Sequence, residues 1–138
     1  TTFHTVRTKN IKFVTETISK HKELVCIKAN SFAINIPSSD IVMSKEHAIF
    51  YKGKLLPIKN FVNIDGVDFI ENNGEVLYNI LLDSHEIMVV ENMLVETLHP
   101  NNLLSQIYSK YGTCNNEIKT EHYNNINREL IENQVFSM

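Results

Sequence analysis

The sequence predicts a mainly β chain that ends in two helices, and three observations carry that prediction. From Phe3 to about Val95, short β-branched and aromatic runs are broken by turn signals with almost no helical periodicity. Three pairs ending in glycine, Lys52-Gly53, Asp65-Gly66 and Asn73-Gly74, fall between such runs, where the positive φ of a primed turn is needed. Beyond His99 the apolar residues recur at helical instead of alternating spacing.

In chain order, the first well-framed hairpin joins Ala48–Tyr51 to Lys54–Ile58 through Lys52-Gly53. A second is expected between Val62–Ile64 and Val67–Ile70 through Asp65-Gly66, with a further strand over Glu75–Leu82 after Asn73-Gly74. Pro37 and Pro57 fall at strand boundaries, where a missing backbone donor costs little, and Asn30-Ser31 is expected inside a strand. A last hairpin turns at Glu91-Asn92 and runs on through Met93 to Leu98. Asn101 or Asn102 caps a helix whose Leu103, Leu104, Ile107, Tyr108 and Tyr111 form one face until Gly112 stops it. A second helix is expected over Thr120–Glu132, with Tyr123, Ile126, Leu130 and Ile131 on its packed stripe and Arg128 and Glu129 on the wet side. The chain thus divides into a β domain over residues 1–99 and a helical extension over residues 100–138 that packs on it.

With 138 residues and 43% hydrophobic content, the length suits one packed domain. A formal charge of -3 argues against nucleic acid as a partner, because affinity for phosphate backbones is built from clustered lysine and arginine. No apolar run approaches the length of a membrane span, and Thr1–Asn10 lacks the pattern of a signal peptide, so a soluble, cytoplasmic protein is expected. Cys26 and Cys114 lie far apart without a CxxC spacing, which fits a reducing compartment and two buried structural thiols.

Two histidine-bearing stretches stand out chemically. Ser44-Lys45-Glu46-His47 precedes a strand, so a hydroxyl and an imidazole can converge from a turn onto one backbone group. The second runs Leu77-Tyr78-Asn79-Ile80-Leu81-Leu82-Asp83-Ser84-His85 and is followed by the Glu91-Asn92 hairpin. Asp83 stands two residues before His85, so on a regular strand both side chains face one way and the carboxylate could orient the imidazole.

Taken in order, the blocks NIPSSDIVMSKEHAIF, LLPIKNFVN, LYNILLDSHEIM and MLVETLHP resemble the Hint (Hedgehog/intein) family of self-processing domains, in its intein-like bacterial and viral subfamily. The resemblance covers about half the chain, from Ile36 to Pro100. It implies a horseshoe-like, mainly β Hint fold in which distant strands bring the two histidine blocks together. It makes His47 the central catalytic residue, which polarises the scissile amide and gives a proton to the departing nitrogen, a task suited to a side chain that titrates near neutrality. Ser44 would hold the scissile carbonyl or orient His47, and His85 would assist the second step by proton transfer. Asn79 lies where many members carry Asp, and since an amide cannot act as a base, Asp83 is the candidate substitute.

The chain departs from the family pattern in two places. Family members begin with a Cys or Ser nucleophile, whereas Thr1-Thr2-Phe3-His4-Thr5-Val6-Arg7-Thr8 resembles a strand some way inside such a domain. The resemblance therefore implies an N-terminal Hint segment, in cis or as a separate partner of a split domain, with a flanking polypeptide as the processed chain. At the position aligned with the C-terminal splice junction stands Glu96-Thr97 instead of His-Asn, which disfavours full splicing and leaves an N-terminal acyl shift followed by cleavage or transfer.

Other chemistries fare worse. The six histidines, His4, His21, His47, His85, His99 and His122, show no close pair with metal-site spacing, and no cofactor is implied. A hydrolase built from Ser44, His85 and Asp83 lacks a Gly-x-Ser-x-Gly elbow. The main alternative is a Hint-like β module without catalysis that acts in binding or structure.

Overall fold

Nine strands and two helices make up a computed structural model that describes residues 7–136, so the chain is mainly β. Of the expected features, residues 1–6 of the opening stretch and the side chains of Glu129, Leu130 and Ile131 lie outside the described residues. The strands are β1 (Phe13–Ile18), β2 (Glu23–Ile27), β3 (Ile41–Ser44), β4 (Ala48–Tyr51), β5 (Lys54–Pro57), β6 (Val67–Glu71), β7 (Val76–Leu81), β8 (Ile87–Val90) and β9 (Met93–Glu96). A single 3-10 turn covers Ile58–Phe61, and the helices are α1 (Leu103–Tyr111) and α2 (Asn116–Phe136).

Sequence-local hairpins and sequence-distant pairings alternate. β4–β5 and β8–β9 are hairpins turned by Lys52-Gly53 and Glu91-Asn92, all four residues having positive φ as a primed turn demands. β9 then pairs with β4 to complete a four-stranded sheet in the order β5-β4-β9-β8. β2 is central in a second sheet, between β3 and β6, and β1 pairs with β7 so that Phe13 stands opposite Leu81. All these pairings are antiparallel.

Strand alternation explains where the core lies. Val25 and Ile27 of β2, Met43 of β3, Ile49 of β4, Val67 of β6 and Met93 and Val95 of β9 turn inward together with Ile58 and Phe61 of the 3-10 turn. Full burial of each such aliphatic side chain contributes about 1.5–3 kcal/mol before the entropy of ordering it. Phe32, Tyr51 and Phe61 close one end of this core as a mutually tilted aromatic trio. α1 covers β1: the Tyr108 ring packs on Phe13, and its hydroxyl accepts from Glu16 N–H at 3.1 Å, which satisfies a donor on the outer edge of the β1–β7 ribbon. Asn102 caps α1 through Leu104 N–H, and Gly112 ends it at φ 74° with its N–H on the Tyr108 carbonyl.

Several local expectations change. Val62–Ile64 is no strand, because its backbone groups are engaged in consecutive tight turns, Ile64 N–H to the Phe61 carbonyl and Val67 N–H to the Ile64 carbonyl. Asp65-Gly66 does make a turn, but β6 runs from it to β2 instead of doubling back. Asn73-Gly74 likewise links two different sheets, with β7 starting at Val76. Asn30-Ser31 sits in a turn, Asn30 having φ 68° and its side chain accepting from Asn35 N–H. α2 begins at Asn116, four residues early, because Asn115 supplies the cap to Ile118 N–H. On α2, His122 is buried whereas Tyr123 is exposed. Cys26 and Cys114 are both free and only half-buried. Cys26 lies on the less covered side of β2, opposite Asp68 and Val42. Among the described residues no helix is long and apolar enough to cross a membrane.

Candidate functional site

His47 is presented by a tight turn that is held from two sides. Its own N–H donates to the Ser44 carbonyl at 3.1 Å, closing the link between β3 and β4. The 3-10 turn then docks against it, with Ile58 N–H on the His47 carbonyl and Lys59 N–H on the Lys45 carbonyl. The Lys59 ammonium reaches the Glu46 carboxylate at 2.6 Å, and that hydrogen bond holds the Glu46 carboxyl below the usual range. Ser44 serves this turn through its backbone; its hydroxyl makes no hydrogen bond to a described residue.

His85 arrives from a different direction. The chain bends at Asp83-Ser84 between β7 and β8, so the regular strand that would have put Asp83 and His85 on one face is absent. Asp83 points to solvent and is joined to neither histidine, whereas His85 is half-buried. Asn79 sits on β7 opposite Thr15, whose hydroxyl donates to the Asn79 carbonyl at 3.4 Å; no contact links it to His47 or His85.

The two imidazoles meet at Glu96, the last residue of β9. His47 Nε2 lies 3.0 Å from the Glu96 carbonyl oxygen, and His85 Nε2 lies 2.9 Å from Glu96 Oε2. The other carboxylate oxygen, Oε1, accepts from Ala48 N–H at 3.1 Å. A peptide carbonyl only accepts, so the first contact calls for a proton on His47 Nε2, and a carboxylate acceptor at Glu96 suits the same tautomer of His85. The His99 ring lies 4.9 Å from the His85 ring, and its Nδ1 accepts from Asn101 N–H. Three histidine rings therefore stand at one end of β9.

The residues after Glu96 fix this end in place. Thr97 is buried; its hydroxyl accepts from Glu86 N–H at 2.8 Å and donates to the Glu86 carbonyl at 3.1 Å, and its own N–H reaches the same carbonyl. Leu98 N–H then bonds the Ile80 carbonyl, stitching the four-stranded sheet to β7. The Glu86 side chain outside this seam is held below the usual carboxylate range by Lys9 first and by Ser84 second.

Chemically, the arrangement offers an imidazole N–H that polarises a peptide carbonyl and a second imidazole oriented by a carboxylate, which are the parts of acid–base and acyl-transfer work. Ser44, His85 and Asp83 do not come together as a triad. Among the described residues no group of three or more His, Cys, Asp or Glu side chains is placed to hold a metal. The sequence singles out His47 and His85, marks Glu96 only as a junction position and brings in His99 only among candidate metal ligands; the structure gathers all four residues at one strand end. A signal for Glu96 existed: in Met93-Leu94-Val95-Glu96-Thr97, alternation with buried Met93, Val95 and Thr97 sends Glu96 to the opposite face.

These features define a class: mainly β chains in which one turn-borne and one bend-borne histidine, distant in sequence, converge on the end of a late strand. The Hint domain family model matches residues 3–102, and the chain belongs to that family. No curated protein and no solved structure matches it.

Proposed function

We propose that this chain is the histidine-bearing part of an intein-like self-processing domain. With an upstream Cys- or Ser-led segment in cis or in trans, it promotes an N-terminal acyl shift followed by cleavage or transfer. The observation that carries this reading is the convergence of His47 and His85 on Glu96, since a purely structural sheet has no need for two imidazoles from separate loops at one strand end. His47 is assigned the first step, its Nδ1 taking the proton of the nucleophile and passing it to the departing amide nitrogen, with Ser44 steadying the turn that presents it. His85 is assigned the proton transfer of the second step. Asn79 and Asp83 receive no step in this scheme. The Glu96-Thr97 junction has no Asn to cyclise, so residues beyond it stay attached.

A second reading, a Hint module that has lost catalysis and acts in binding or structure, is favoured by one observation: His47 Nε2 already has a partner in the Glu96 carbonyl. A precursor carrying a Cys-led segment and a reporter polypeptide upstream of Thr1 separates the two. The self-processing reading expects release of the reporter, sensitivity to hydroxylamine, and a loss of about 100-fold or more in rate with His47→Ala. A folded precursor that stays intact for days, with or without hydroxylamine, supports the inert module instead.

A further inference from the structure

We propose that Glu96 is a positioning residue that sets the tautomer of His85 and ties its location to that of His47; its functional consequence rests on the self-processing reading. One residue faces both imidazoles through two chemically different groups. Its peptide carbonyl takes His47 Nε2–H at 3.0 Å, while its carboxylate takes His85 Nε2–H at 2.9 Å and Ala48 N–H at 3.1 Å. The carboxylate supplies an acceptor to each of its two donors, and only an acceptor-only group can do so here. Ala48 is the first residue of β4 and follows His47 directly, so the Oε1 bond also pins the strand end that carries the first histidine. A displacement of the Glu96 side chain therefore alters His85 directly and His47 through the backbone.

The carbonyl on His47 is an anchor and not a cleavage point. The hydroxyl that would attack it belongs to Thr97, and that hydroxyl is held in a two-way bond with the Glu86 backbone while the residue is 1% exposed. His47 and His85 thus share a fixed support and present their Nδ1 atoms as the free acceptors. This is the tautomer logic by which a carboxylate prepares an imidazole to take a proton from a nucleophile.

The test is long-range proton–nitrogen correlation NMR on the full chain at about pH 8, where unperturbed imidazoles are neutral. In the native chain both His47 and His85 are expected as Nε2–H tautomers with unprotonated Nδ1; a His85 carrying its proton on Nδ1 overturns the proposal without any variant. In Glu96→Gln the amide has one acceptor oxygen for two donors, so His85 is expected to lose its Nε2–H preference. His47, bonded to the unchanged backbone carbonyl, keeps its own. An unchanged His85 spectrum in this variant refutes the assignment. In the reporter precursor, Glu96→Gln is expected to slow release about 10–100-fold while the hydroxylamine-sensitive intermediate still forms, and Glu96→Asp recovers part of the rate. A native precursor that never processes removes the self-processing reading alone; the positioning claim then stands or falls on the tautomers.

Discussion

Thr97 exemplifies how much one side chain does at the end of β9. Its hydroxyl closes both directions of a bond with the Glu86 backbone inside a seam that is nearly sealed from solvent. Thr97→Val keeps the shape and leaves the Glu86 N–H without its partner, so a loss of about 1–3 kcal/mol is expected in denaturant unfolding. Thr97→Ser should recover most of that loss, and equal stability of the Val and Ser variants would contradict this account. At this scale the sequence revealed the histidines and hid what they touch. Ser44-x-x-His47 and His85 stand out because their types and spacing are chemical signals. Glu96 reads as an ordinary strand-end acid until β9 pairs with β4, a contact between residues with no local relation in the chain.

Among the elements, those built on local bonds were legible. The Lys52-Gly53 and Glu91-Asn92 hairpins and α1, with its Asn102 cap and Gly112 stop, form as expected. The pairings between remote elements were not, and Val62–Ile64, although built of strand-forming residues, closes consecutive turns with its backbone instead of pairing. The Asp65-Gly66 turn shows the same logic from the other side. Gly66 has φ 93°, and a Cβ there would run into the Ser31 side chain, while the Gly66 carbonyl accepts from Lys28 N–H at 2.9 Å. Gly66→Ala is therefore expected to lower stability by about 1–3 kcal/mol through backbone strain and displacement of the Ser31 turn. The effect is readable as a fall in melting temperature. The same substitution at Gly53, whose position also has positive φ but open space around it, costs the strain alone and should be milder.

For the molecule as a whole, four surface carboxylates held by hydrogen bonds make a modest contribution to stability that depends on acid. Asp40 is held below the usual carboxylate range by Ala29 N–H and then Lys28, Glu46 by Lys59, Glu86 by Lys9 and Ser84, and Glu91 by the Ser38 and Ser39 hydroxyls. A depressed folded-state value means the stabilisation is complete above the ordinary carboxylate range and lost as pH falls through the lower folded values. The melting temperature should accordingly drop as pH is lowered from about 4.5 toward 2, where unperturbed carboxyls would already have titrated. Raising the salt concentration should flatten the lysine-dependent share by screening and leave the serine-held Glu91 contribution largely intact. Melting curves at two salt concentrations, with Glu91→Gln as the comparison, measure both parts; salt that abolishes the Glu91→Gln difference would show that Glu91 acts through a charge pair instead.

The pairing of β1 with β7 and of β2 with β6 also bears on how the chain is made. As these residues emerge from the ribosome, β1 has no partner at hand and β2 has only β3. The β4–β5 and β8–β9 hairpins close quickly on their own and β2 meets β3 early, whereas β2 waits for β6 to complete its sheet and β1 has no partner until Leu81 has been added. Only then, with Glu96 following shortly after, can the end of β9 that gathers His47 and His85 be assembled, so this cluster forms late in synthesis.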